Sequence, residues 1–231
     1  MIQNILKSAL VLSVTTASLV AGEIDVKVVN LTGGSYFTPL LVSTHSDTKR
    51  LYTTGSAAST SLQKMAEGGD IADLATELTE DGANVVSNPA SGLLAPGANT
   101  TATLTTDTTN PRLSIVAMIL PTNDGFVALS GWEVPTTAGT YTVNLNAYDA
   151  GTEANDEVIN GGGAVGVAGI PADPGGSVAT GGTGITANVE GFVHIHRGVL
   201  GDNNDTGGLS DLKSTKHGWL NPVARAIITV K

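Results

Sequence analysis

The sequence predicts an all-β protein interrupted by a short helical excursion at about 59–80. Three observations predict it. Apolar and polar residues alternate along most of the chain, the period of a half-buried strand. The 231 residues hold 29 glycines, abundant Thr and Ser, and few aromatics, a composition suited to short strands joined by turns. In one window only, Ala57 to Gly82, the period lengthens to that of a helix.

The N-terminus carries a targeting signal rather than fold information. Lys7 precedes an apolar and small-residue run from Ser8 to Ala21, and Val20-Ala21-Gly22 offers a cleavage site, so residues 1–22 read as a secretory signal peptide. The run is shorter than the roughly 20 apolar residues of a membrane span, and no later segment approaches that length. A bacterial product that is periplasmic, at the cell surface or released is expected, with the domain occupying 23–231.

The elements then follow in order. Ile24, Val26 and Val28 alternate with Asp25 and Lys27 as a first strand. Leu62 and Met65 mark a helix at 59–67. Ile71, Leu74, Ala75 and Leu78 mark another at 70–80, with Gly68-Gly69 between them and Asp70 placed to cap the second. Strands resume after Pro96-Gly97 with Ala102 and Leu104. Leu113 to Leu120 is apolar on both faces, as in a central strand covered from both sides. Phe126 to Trp132 and Tyr141 to Ala147 complete an up, down, up meander. Residues 151–184 hold 11 glycines without periodicity and read as a long surface loop. Strands at 192–197 and 223–230 close the chain by pairing with earlier ones.

Composition narrows the chemistry. Hydrophobic residues make up 41% and charged residues 14%, so the chain folds, and the net charge of −10 disfavours nucleic acid and suits a cation. With no cysteine there is no disulfide, thiol nucleophile or thiolate metal site.

The meander places Asp124, just past its first strand, and Asp149, just past its third, on one rim. Strands one apart in a sheet are separated by about 4.8 Å, so a cation can bridge carboxylates at twice that spacing. A hard divalent ion, calcium first, is the expected ligand. The plain alternative is that both aspartates accept backbone N–H groups in ordinary turns.

Several strings resemble one family. Met118-Ile119-Leu120-Pro121-Thr122-Asn123-Asp124-Gly125-Phe126-Val127 is similar to the Pro-Ser-Pro-Asp-Trp-Phe-Val stretch of spondin N-terminal domains. Tyr148-Asp149-Ala150-Gly151-Thr152-Glu153 resembles that family's Tyr-Asp-Ala-Gly-Thr-Asp loop, and Asn221-Pro222-Val223-Ala224-Arg225-Ala226 its closing strand. Asn30 to Leu40 and Ala66 to Asp70 also look like bacterial spondin-domain proteins. The resemblance runs over nearly all of 24–231. It implies an antiparallel β-sandwich with a divalent cation at one end, held by Asp124 and Asp149. The family's further acidic ligand falls at Thr105, and Asp107, two residues on, is the substitute candidate. Gly125 stands where the family has Trp.

A second constellation is His194-Ile195-His196 with His217. Residues two apart on a strand share a face, so these three imidazoles are the alternative, a site for zinc or copper in a periplasmic metal carrier or metallohydrolase. Asp202-Asn203-Asn204-Asp205-Thr206-Gly207 resembles the first half of a calcium loop, but Lys213 occupies the place of its closing Glu, and a turn is expected. Asp156, Glu157, Asp173 and Asp211 read as solvated loop charges. No nucleophile elbow, phosphate-cradling loop or dinucleotide fingerprint is present, and no catalytic residues are assigned. The expected role is therefore an exported, calcium-binding recognition or adhesion module whose partner is an extracellular protein or glycan.

Overall fold

The computed structural model describes residues 22–231. The proposed signal peptide, apart from its last residue, lies outside the described residues. The strands are β1 (Gly22–Asn30), β2 (Tyr36–Phe37), β3 (Leu41–His45), β4 (Asn84–Ser87), β5 (Asn99–Thr106), β6 (Arg112–Leu120), β7 (Gly125–Glu133), β8 (Gly139–Asp149), β9 (His194–Ile195) and β10 (Ala224–Val230). The helices are α1 (Thr60–Gly68), α2 (Ala72–Glu80) and the single turn α3 (Ser214–His217).

All ten strands join one antiparallel sheet in the order β4-β3-β6-β7-β8-β10-β1-β5, with β2 on β6 and β9 on β8. The sheet curls until its ends meet. The carbonyl of Thr105 on β5 accepts from Thr44 Oγ1 on β3 at 2.6 Å and from Asn84 Nδ2 on β4 at 3.2 Å. The expected sandwich is thus a nearly closed barrel. β8 is the strand on which the layers turn: Gly139 to Leu145 pair with β10, and Asn146 to Asp149 pair with β7.

Two apolar layers explain the patterning. Ile24, Val26 and Val28 meet Leu113, Ile115, Ala117 and Ile119 inside the curled sheet. The alternate residues of β6, Val116, Met118 and Leu120, face Leu62, Met65, Leu74 and Leu78 of the helix pair. β6 is buried on both faces because helices cover the side that would otherwise be wet. Ser59 caps α1 by accepting Leu62 N–H at 3.2 Å, and Gly69 closes it at φ 73°, donating to Lys64 and Met65 carbonyls. Asp70 accepts Ala72 N–H at 2.9 Å, fixing the first turn of α2 from one residue before its cap position.

Two differences have physical causes. β3 lacks alternation because it is buried throughout, including Ser43, Thr44 and His45, whose polar groups find partners inside: His45 Nε2 meets Ser114 Oγ at 2.7 Å. The strand expected at 192–197 shrinks to His194–Ile195, because it occupies only the stretch of β8 edge that β10 leaves free.

The closing loops correct a further expectation. Glu157, Asp173 and Asp211 are buried, not solvated. Asp211 accepts the N–H groups of Ile159, Thr180 and Gly182 at 2.7, 2.8 and 2.9 Å. Glu157 accepts those of Leu200 and Gly201 and the Ser210 hydroxyl. A glycine-rich loop has few side chains to bury, and its buried N–H groups still need acceptors, which these carboxylates supply. Asp202 serves its own turn in the same way, accepting from Asn204, Leu209 and Ser210, so the 202–207 segment is the expected turn.

Candidate metal centre

Asp124 and Asp149 come together as the meander requires. β6 and β8 run the same way with β7 between them, and Gly125 at the start of β7 pairs with Asp149 at the end of β8. On the other edge of β8, His194 pairs with Asp149. Asp149 therefore sits in a row between the residue after Asp124 and an imidazole. Asp124 and Asp149 are 0% and 1% exposed.

Asp124 is half committed to the loop and Asp149 accepts at both oxygens. Asp124 Oδ2 accepts Thr152 N–H at 2.7 Å and Glu153 N–H at 3.0 Å, while its Oδ1, fully buried, has no hydrogen-bond partner. Asp149 Oδ1 accepts Gly151 N–H at 2.8 Å, and Oδ2 accepts Asn155 Nδ2 at 2.7 Å. In Asp124 the turn role and the ligand role thus use different oxygens. Burial, with Asp149 alongside, pushes the Asp124 carboxyl up to about 7. Burial also raises Asp149, against the opposing hydrogen bond from Asn155. Glu153, whose Oε1 is likewise buried without a partner, is raised to about 7 by burial, with Glu67 and Asp124 adding to it. Packing this many carboxylates out of water is unfavourable unless a proton or a cation joins them.

The backbone shows why these loop residues are needed. Gly151 has φ +68°, and a Cβ there would lie 2.4 Å from the Phe192 carbonyl oxygen; Gly191 donates to the Gly151 carbonyl at 2.8 Å. This contact lays the 190–193 segment over Asp149. At Gly125 a Cβ would lie 2.7 Å from Thr122 Oγ1 and 3.0 Å from His196 Cδ2. Thr122 and His196 thus occupy the space that a side chain at position 125 would need.

The histidines divide. His194 Nδ1 lies 3.0 Å from its neighbour's carbonyl oxygen, Ile195 O, and so donates, which turns Nε2 toward Asp149 Oδ1, 3.4 Å away and without a hydrogen bond. His196 Nδ1 accepts Gly198 N–H at 2.9 Å, so its proton is on Nε2, 3.9 Å from Asp149 Oδ2. Burial pushes His196 down to about 3 and keeps it neutral. His217 does not join them. It is fully buried elsewhere, with Nε2 3.1 Å from Asp173 Oδ2 and Nδ1 accepting Lys213 N–H at 3.1 Å. The three-histidine arrangement is therefore not formed, because sequence distance gave His217 a partner of its own.

Asp107 is also corrected. β5 runs antiparallel to β1, with Thr106 opposite Gly22 and Asn99 opposite Val29, so Asp107 leaves the sheet at the end away from Asp124 and Asp149. Its carboxylate accepts Thr109 Oγ1, Thr109 N–H and Asn110 N–H at 2.6, 2.8 and 2.9 Å, and the Thr109 hydroxyl foremost holds it below its usual range. Thr105 lies at the same far end.

Sequence reasoning missed Glu190, which lies with Asp149 and His194 in one cluster whose ligand atoms are all within 4.8 Å of one another. Its one signal was an acid four residues before His194 in a loop otherwise poor in charge. In comparison with known proteins, the Spondin_N family model matches residues 31–157. That match includes Asp124 and Asp149 and ends before Glu190, His194, His196 and His217. No curated protein matches the chain.

Proposed function

The chain belongs to the spondin N-terminal domain family, and from that premise we propose that it is an exported recognition module whose rim loops are fixed by a divalent cation held between Asp124 and Asp149. Calcium is the proposed ion, with backbone carbonyls and water completing its oxygen shell. One observation carries the reading: Asp124 Oδ1 is buried beside a second carboxylate with nothing to accept from. An ion there would neutralise both acids while Asp124 Oδ2 goes on accepting the Thr152 and Glu153 N–H groups. The loops it orders form one end of the barrel and would present an acidic extracellular glycan or protein with a bound positive charge. Export rests on the Lys7 to Gly22 pattern, and among the described residues no helix is long and apolar enough to cross a membrane.

Calorimetry on the full chain tests the ion. Calcium uptake at one equivalent, lost in Asp124→Asn and in Asp149→Ala, is expected; no uptake, or uptake that Asp149→Ala leaves unchanged, overturns the reading. A screen against surface polysaccharides with and without chelator then tests recognition.

A further inference from the structure

We propose that Asp149, Glu190 and His194 form a mixed oxygen–nitrogen site for a zinc-class divalent ion, reaching Asp149 from the side opposite Asp124. The inference shares Asp149 with the calcium reading and goes beyond it, since two of its three ligands lie outside the matched residues.

Three observations converge. The ligand atoms of the three side chains lie within 4.8 Å of one another. Zinc bonds of about 2.0–2.2 Å put tetrahedral donors roughly 3.4 Å apart, and His194 Nε2 is already 3.4 Å from Asp149 Oδ1. A small closing movement of Glu190 would complete the set.

The second observation is orientation. His194 Nδ1 is held 3.0 Å from the Ile195 carbonyl oxygen, which turns Nε2 toward Asp149 Oδ1, 3.4 Å away. The backbone contact at Nδ1 is also what orients a ligating imidazole.

The third is the pair of buried polar atoms left without partners in this cluster, His194 Nε2 and Glu190 Oε2. His196 Nε2, on a residue 5% exposed and 3.9 Å from Asp149 Oδ2, is another. It carries hydrogen and cannot ligate, but it can donate to an oxygen bound to the ion. Asn155 Nδ2 already spans the cluster, 2.7 Å from Asp149 Oδ2 and 3.4 Å from Glu190 Oε1.

The donor chemistry selects the ion. Calcium takes oxygen ligands, whereas one imidazole with two carboxylates suits zinc and its first-row neighbours. Three protein ligands leave a coordination position for water or for a donor atom of the recognised molecule.

The test uses the chelator-treated full chain, titrated separately with zinc and with calcium. One equivalent of zinc is expected, with affinity falling more than about 100-fold in His194→Ala and in Glu190→Gln, since losing even an outer-shell partner can cost up to about that much. Calcium affinity should change by less than about twofold in His194→Ala, because imidazole is not a calcium ligand. Cobalt substitution adds a readout independent of stability: a visible d–d spectrum in the wild type that His194→Ala abolishes. Absence of zinc uptake, or uptake and spectrum unchanged in His194→Ala, overturns the proposal. Calcium uptake lost in Asp124→Asn with no zinc bound would leave the calcium reading standing and remove this one. Zinc uptake that depends on His194 with no calcium bound would do the reverse.

Discussion

Neutralising Asp124 without changing its shape should stabilise the metal-free protein at neutral pH and abolish the benefit of adding a cation. Asp124→Asn keeps an oxygen for the Thr152 and Glu153 N–H groups and puts an NH2 where the unpartnered Oδ1 now lies. Burial, then Asp149, raises the carboxyl from 3.8 to about 7. The unfolded chain releases its proton near 4 and the folded chain keeps it until about 7, so metal-free stability falls as pH rises through that interval and levels off above it. The full interval corresponds to an upper bound of about 4 kcal/mol. Asp149 and Glu153, also raised, act in the same direction. Asp173 and Asp211 are lowered, their hydrogen bonds outweighing burial, so their contribution is lost only as pH falls below about 4. His196 and His45, lowered by burial, act the other way within the interval, so the difference between the two proteins carries the test rather than either profile alone. Urea denaturation at pH 4.5 to 8 with chelator is the assay. Relative to the variant, the wild type should lose stability as pH rises, and the variant should be the more stable above pH 7. A cation should restore only the wild type, in proportion to its saturation. Parallel profiles for the two proteins would refute the reasoning.

Gly125→Val should destabilise the fold by about 1–3 kcal/mol, since its Cβ would press on Thr122 Oγ1 and His196; a thermal melt matching the wild type would mean that the rim is looser than described. Asp107→Ala should cost about 1 kcal/mol through loss of its turn and leave cation uptake untouched, which calorimetry beside a melt would check. Asp211→Ala strips the acceptor from Ile159, Thr180 and Gly182 and should cost about 2–4 kcal/mol, with hydrogen exchange rising first at those three amides. Leu74→Ala, deep between α2 and the sheet, should cost about 2–5 kcal/mol without altering cation affinity.

What was legible in the chain was what local pattern encodes. The alternation of Ile24, Val26 and Val28 and the doubly apolar run of β6 fixed which faces are buried, and the change of period at 57–82 located both helices. The meander placed Asp124 and Asp149 on one rim because three consecutive antiparallel strands leave no other choice for their ends. β3 was not legible, because its Ser43, Thr44 and His45 are polar residues that are tolerated inside only through partners on distant strands. Asp107 was misplaced because a count along the chain says nothing about which way β5 runs.

By itself the sequence determined the class of fold and the carboxylate pair, since both follow from spacing along neighbouring strands. Only the tertiary structure decided the remainder of the site: that β9 brings His194 to Asp149, that Glu190 joins them, and that His217 belongs to Asp173. The physical reason is that a glycine-rich loop carries no periodic signal. Its course is set by buried backbone N–H groups finding acceptors, and two of those acceptors, Glu157 and Asp211, lie many residues along the chain from the amides they serve.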